Sequence, residues 1–239
     1  MDWRDRGLLL STRRFGESAA IIEVLTESHG RHAGLVRGGA GTRMAPVLQP
    51  GAELDLEWRA RLDDHLGIYR VEPLASRAAL LMADRRRLAG FNAMASLLLA
   101  LLPERAPHPG LYETTSGLAD ALTRAPDWPD VYAIWERDLL TLLGYGLDLT
   151  ACAATGVSSD LIWVSPKSGR AVSRQGGQGW EDRLLPLPAL FGGADRVPNE
   201  TATALRLTGH FFKHWVLPAI DLPALPEARQ RLEKLLADE

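Results

Sequence analysis

The chain has 239 residues, 46% of them hydrophobic and 24% charged, enough to bury a core unaided in one or two domains and unlike a disordered or fibrous chain. Its single cysteine, Cys152, excludes an intramolecular disulfide framework and fits a reducing compartment. The formal charge of −3 on its face argues against a nucleic-acid binder.

Lysine occurs only at Lys167, Lys213 and Lys234, and every other basic residue is arginine, a bias that a GC-rich coding genome explains. No apolar run reaches the roughly 18 to 20 residues needed to span a bilayer, and the N-terminus opens on Asp2, Arg4 and Asp5. The expected compartment is therefore the cytoplasm.

Residues 7–76 read as strands: Leu8 to Thr12, Ala19 to Leu25, His32 to Val36, Ala52 to Leu62 and Leu66 to Leu74. In the fourth, Leu54, Leu56, Trp58 and Ala60 alternate with charged residues, so one face enters a core. Asp63-Asp64 reads as the turn that follows. Five short antiparallel strands favour a small closed barrel, since closure removes exposed edges.

From Ser76 to Leu102 the apolar period lengthens to three and four, with Pro103 as a stop. Pro109 to Arg124, Pro129 to Leu143, Asn199 to Leu217 and Leu225 to Ala237 read as further helices. Residues 148–197, rich in glycine, show no helical period and read as a loop-rich insert. The expectation is α+β: a barrel over residues 1–76, then a helical domain over 77–239 containing that insert.

Motifs of catalysis are missing: neither G-x-S-x-G nor G-x-x-x-x-G-K-[ST] occurs. Gly39-Ala40-Gly41 lacks the third glycine of a dinucleotide fingerprint and reads as a flexible turn. His210 and His214 have helical metal-pair spacing but no third ligand nearby, and read as structural or solvent-facing. Cys152-Ala-Ala-Thr155 and Ser173-Arg-Gln-Gly176, 17 residues apart, have the spacing of a zinc ribbon with three of its four ligands replaced, so no metal or other cofactor is expected.

The net charge hides an asymmetry. Between positions 6 and 43 stand Arg6, Arg13, Arg14, Arg31, Arg37 and Arg43 against only Glu17, Glu23 and Glu27, while acids gather after Glu53. Arg37 and Arg43 flank Gly38-Gly39-Ala40-Gly41, a loop able to bring backbone N–H groups and both cations to phosphate. Arg13 and Arg14 end a strand, and Phe15 in the following turn is the best candidate for stacking a base. Trp58 reads as core, and Tyr69 is left open between the two roles.

The blocks Gly7-Leu-Leu-Leu-Ser-Thr-Arg-Arg-Phe-Gly-Glu-Ser18, Leu25-Thr-Glu-Ser-His-Gly-Arg31 and Gly34-Leu-Val-Arg-Gly-Gly39 resemble the opening of the bacterial RecO family. Pro109-Gly-Leu-Tyr-Glu113, the run from Trp135 to Tyr145, Leu147-Asp-Leu149, Cys152 and Ser165-Pro-Lys-Ser-Gly169 follow in that family's order. The resemblance implies an OB-fold barrel, then helices carrying a zinc-ribbon-like insert, degenerate here because only Cys152 is kept. It implies a non-enzymatic recombination mediator in DNA repair, associated with the nucleoid. Such a protein binds and anneals single- and double-stranded DNA and works with RecR to load RecA onto DNA coated by single-strand-binding protein.

On this reading the DNA-binding residues are Arg13, Arg14, Phe15, Arg31, Arg37 and Arg43. The resemblance also implies a pocket in the helical domain for the acidic C-terminal tail of the coat protein, with Arg85, Arg86 and Phe91, or Arg124 and Arg137 near Leu118, Leu122 and Trp135, as candidates. The competing reading is an OB-fold module for protein or RNA contact with little DNA affinity of its own.

Overall fold

A computed structural model describes residues 1–62 and 65–238, and the turn expected at Asp63-Asp64 lies outside them. The chain divides into two compact units, Met1–Ala125 and the residues from Pro126 onward.

The first unit opens with strands β1 (Asp2–Phe15), β2 (Ala19–Thr26), β3 (Gly30–Val36), β4 (Glu53–Arg59) and β5 (Ile68–Ala75), closed in the order β1-β2-β3-β5-β4. This is the five-stranded OB arrangement. β1 closes it by being long: Asp2 to Leu8 pairs with β4, and Gly7 to Phe15 pairs with β2. Where the two ladders overlap stands Gly7, at which a Cβ would lie 2.6 Å from a Leu56 methyl. The strand starts earlier than Leu8 because Arg4 turns outward to Asp55 while Trp3 packs on the core.

β4 keeps the expected alternation, with Leu54, Leu56 and Trp58 all 0% exposed. Each leucine contributes about 1.5–3 kcal/mol by burial before the entropy of ordering is counted. Trp58 is thus core, its indole N–H donating to the carbonyl of Leu66 at 3.1 Å. Tyr69 is core as well, 2% exposed, with its hydroxyl 2.9 Å from His32 Nδ1. Its ring is accommodated by Gly34, where a Cβ would come within 2.3 Å of it.

The helical run expected from Ser76 to Leu102 is two helices, α1 (Ala78–Met82) and α2 (Arg85–Leu101). The break falls at Asp84, whose carboxylate accepts from the N–H groups of Arg86 (2.8 Å) and Arg87 (3.3 Å), an N-cap inside an unbroken apolar period. α3 (Leu111–Arg124) completes the unit. Arg77, 6% exposed, ties these parts together by donating to the carbonyl of Gly51 and to the carboxylates of Glu53 and Asp120.

The second unit contains α4 (Trp128–Leu142), β6 (Leu161–Val164), β7 (Ala171–Ser173), β8 (Leu185–Pro186), α5 (Glu200–Phe211), α6 (Leu217–Ala219) and α7 (Glu227–Ala237). A π-helical turn at Phe212–Val216 joins α5 to α6. The insert is more ordered than its composition suggested: β6, β7 and β8 form a small sheet in the order β7-β6-β8. Arg229 of α7 is wholly buried and pairs with Glu136 of α4 at 2.9 Å through both Nε and Nη2. Thr208 of α5 donates to the same carboxylate at 2.6 Å, so one buried charge pair fixes three helices.

Candidate nucleic-acid interface

Strand β1 ends at Arg13, Arg14 and Phe15, and β3 ends one residue before Arg37. Antiparallel pairing through β2 returns these ends to the same side of the barrel: Phe15 pairs with Ala19, and Ala20 with Val36. The two loops then touch, because the N–H of Ala40 donates to the carbonyl of Ser18 at 3.0 Å. Arg13, Arg14, Arg37 and Arg43 are all exposed here, and Phe15 is 51% exposed. Among the described residues Arg13, Arg37 and Arg43 have no hydrogen-bonded or ion-paired partner. Arg14 is held by the turn, donating to the carbonyls of Gly16 (3.3 Å) and Glu17 (2.8 Å).

Two expectations need correction. The loop after β3 does not offer a row of N–H groups to phosphate, because Gly39 donates to Val36, Ala40 to Ser18 and Gly41 to Gly38. Its contribution is to hold Arg37 and Arg43, not to cradle an anion.

Arg31 also stands apart from the other arginines. It lies at the far end of β3, roughly 20 Å from Arg37 along an extended strand. Its guanidinium is spent on Glu23 at 2.8 Å and on the carbonyl of Leu102 at 3.0 Å. This side chain fastens the barrel to the end of α2.

The residues considered for a tail pocket separate in the same way. Arg85 and Arg124 are exposed, while Arg86 is half-buried. Phe91 is 0% exposed, behind the surface, so it cannot form the apolar part of a pocket there. Leu118, Leu122 and Trp135 are buried as well. Arg137, in the second unit, lies over the Phe191 ring at 5.4 Å and donates to Asp138 at 2.7 Å.

Cys152, Thr155, Ser173 and Gly176 do converge. The Ser173 N–H and hydroxyl donate to Cys152 Sγ at 3.2 and 3.3 Å, Gly176 N–H donates to Ser173 Oγ at 3.1 Å, and Thr155 Oγ1 lies 3.4 Å from Ser173 Oγ. A Cβ at Gly176 would approach Sγ to 2.7 Å, so no fourth side chain enters. One thiol and two hydroxyls do not match the nitrogen and sulfur donors that hold zinc. Burial pushes the Cys152 thiol up, but hydrogen bonds from Ser173 and Thr155 outweigh it and bring the pKa down to about 6. His210 and His214 lie with ring centroids 4.3 Å apart, and no group of three metal-binding side chains occurs among the described residues.

Comparison with known proteins decides the family. The family described as "Recombination protein O N terminal" matches residues 1–77, and "Recombination protein O C terminal" matches residues 82–220. The chain belongs to the RecO family. Proteins named DNA repair protein RecO are similar to it over nearly their whole length. That of Ruegeria sp. (strain TM1040) is 56% identical over 238 residues, 99% of each chain. That of Jannaschia sp. (strain CCS1) is 51% identical over 232 residues, 97% of this chain and 95% of the relative. The Dinoroseobacter shibae protein is 47% identical over 237 residues.

The α+β layout expected for RecO, a five-stranded barrel followed by a helical region, is the one observed. No helix among the described residues is long and apolar enough to cross a membrane. Sequence reasoning about this RecO chain missed Arg59 and Arg70. With Arg37 they line a groove of about 460 Å³ beside β5. Each reads locally as an ordinary outward residue of an alternating strand; the pairing of β4 with β5 sets Arg59 near Arg70, and the pairing of β3 with β5 brings Arg37 to them.

Proposed function

We propose that this RecO-family protein is a non-enzymatic DNA-binding mediator of DNA repair, and that its barrel binds strands at the end where β1 and β3 finish. The observation that carries this reading is that Arg13 and Phe15 at the end of β1 and Arg37 at the end of β3 share one end of the barrel, with Arg43 in the loop after β3, all exposed and the three arginines without a partner among the described residues. Arginines without acidic partners can neutralise successive phosphates, and each contact releases condensed counterions. A half-exposed phenylalanine beside them offers a face on which an unpaired base can stack. The net charge is no obstacle, because acids elsewhere are themselves engaged: Asp55 by Arg4, Glu57 by Arg59, and Glu53 by Arg77.

Single and double strands share the phosphate chemistry, and stacking on Phe15 favours the single strand. Two complementary strands held at low net repulsion would anneal without any bond being made or broken, and no metal or cofactor enters such a process. The partners that fit this role are RecR and the acidic tail of single-strand-binding protein, with RecA loaded as the outcome. The compartment would be the bacterial cytoplasm, at the nucleoid. Exposed Arg85 and Arg124 are the remaining candidates for contact with the tail.

The test is fluorescence anisotropy with a single-stranded oligonucleotide across a salt series, with and without the RecR partner. Affinity that falls steeply with salt, and falls further in an Arg37→Ala/Arg43→Ala variant, is the expected result. No binding at low ionic strength in either case would overturn the reading. If the variant binds DNA normally but loses a protein partner, the barrel is an interaction module.

A further inference from the structure

His210 lies in the last turn of α5, and the π-helical turn that follows carries Lys213 and His214. Residues three and four apart share one face of a helix, and the two imidazole rings lie with centroids 4.3 Å apart. Lys213 and His214 are exposed, while His210 is half-buried.

The turn between β6 and β7 is fastened to this segment at two points. His210 reaches the carbonyl of Pro166. At Gly169, with φ +66°, a Cβ would come within 2.5 Å of the Trp215 ring. Between these points stands Lys167, exposed, on a turn held by bonds from the Ser165 N–H to Arg170 and from the Gly169 N–H to Ser165, both 2.9 Å. Among the described residues Lys167, Lys213 and His214 have no hydrogen-bonded or ion-paired partner.

The charges gathered here are of one sign. Burial, then His214 and Lys213, hold the His210 pKa below the ordinary histidine value. Acids on the elements packed around α5 are engaged: on α4, Asp130 by Thr201, Glu136 by Arg229 and Asp138 by Arg137, and on α7, Glu233 by Arg229 and Glu227 by Arg231. β8 and the short turn Ala189–Phe191 carry no charge. Beside the β6–β7 turn, Asp148 is paired with Arg170 at 3.2 Å. Two ammonium groups repel a metal ion, so the complementary ligand of this pair is an anion. Ammonium and imidazolium N–H groups are suited to the oxygens of phosphate.

We propose that Lys167, His210, Lys213 and His214 form a phosphate site in the second unit, and that its affinity rises as the two histidines take up protons. The phosphate comes from a bound strand or from free phosphate; the choice of the strand rests on the DNA reading above. An anion between two imidazoles removes the repulsion that keeps them from charging together, so binding and protonation favour each other. The barrel arginines stay charged throughout the histidine range and give no such dependence.

The test follows the imidazole resonances of the full chain from about pH 5.5 to 7.5, alone, with eight-nucleotide oligo(dT) and with inorganic phosphate. The expected result is that oligo(dT) raises the midpoints of His210 and His214 by about one unit, with affinity about tenfold greater at the acid end. His210→Gln/His214→Gln should keep the affinity at about pH 7.5, which also verifies its fold, and lose most of the gain on acidification. Cys152 titrates in the same range in both proteins, so the difference between them reads the histidines. Lys167→Gln/Lys213→Gln, at two exposed positions, should reduce the rise of both midpoints. A rise with phosphate and none with oligo(dT) would keep the site and assign it to free phosphate. The proposal is overturned if neither probe moves the midpoints, or if the histidine variant keeps the parent's pH dependence. Failure of the DNA reading would appear separately, as oligo(dT) that moves neither the histidines nor the amides of Arg13, Arg37 and Arg43 while phosphate still raises the midpoints.

Discussion

The backbone N–H of Ala40 and the carbonyl of Ser18, 3.0 Å apart, join the loop after β3 to the turn between β1 and β2. The junction is close-packed, since a Cβ at Gly39 would lie 2.8 Å from that of Ala20. The placement of Arg13 relative to Arg37 is therefore fixed by main chain, not by flexible side chains.

Arginines at this end should show themselves in the salt dependence of binding. Each phosphate contact on a single strand contributes about 0.7 to the slope of log affinity against log salt. Replacing Arg13, Arg37 and Arg43 together by alanine should flatten that slope by about 2. Arg31→Ala should leave the slope unchanged and instead lower stability by about 1–2 kcal/mol through loss of its bonds to Glu23 and Leu102. Anisotropy titrations and urea melts separate the two outcomes.

Phe15→Ala should act differently from any of these. Loss of a stacked ring costs about 1–3 kcal/mol per base on a single strand, and duplex affinity should hardly move. A ring 51% exposed contributes little to the core, so the melting temperature should stay close to the parent's. Equal losses on single- and double-stranded probes would remove Phe15 from the interface.

Much of the barrel could be read from alternation in the chain, and the parts that could not have physical reasons. The first half of β1 was hidden because Asp2, Arg4 and Arg6 face outward and look like a polar terminus. The break at Asp84 was hidden because a cap needs only one side chain, and the apolar period runs on through it. Arg31 and Arg37 look alike in sequence, both flanking the same strand. Only the strand's two ends, one against Leu102 and one open, distinguish a fastening from a binding residue. The convergence of Cys152, Thr155, Ser173 and Gly176 was legible because knuckle spacing is local, whereas the groove beside β5 is built by residues of β3, β4 and β5 together, which no local pattern records.

The Cys152 thiol should titrate far below an ordinary cysteine. Its thiolate absorbance near 240 nm should rise with a midpoint of about pH 6. Ser173→Ala removes the hydroxyl that donates to Sγ, and should move the midpoint upward. A pKa lower in the folded than in the unfolded state adds stability as pH rises. The contribution should thus be absent below about pH 6, grow up to the unfolded thiol's value near 8.5, and be fully present above it. In urea melts the stability of the parent relative to Cys152→Ala should rise with pH across that range, and a relative stability that falls would refute the assignment.

The pair buried between α4 and α7 makes a sharper demand. Arg229→Met leaves the Glu136 carboxylate without its main partner inside the second unit, a change that costs about 3–5 kcal/mol. Arg229→Met combined with Glu136→Leu removes both charges and should recover much of that loss. If the double variant is as unstable as the single one, the helices depend on the pair itself and not on avoiding an orphaned charge. Denaturant midpoints of the three proteins decide it.

Arg77 lies where the two family regions nearly meet, yet it holds Gly51 and Glu53 on one side and Asp120 on the other. A protease nicking the chain just after it would separate a buried guanidinium from one of its carboxylates and uncover the face that α1 to α3 protect. The smallest fragment able to keep the barrel intact should therefore end near Ala125, not at residue 77. Mild digestion should yield the longer piece as the persistent one.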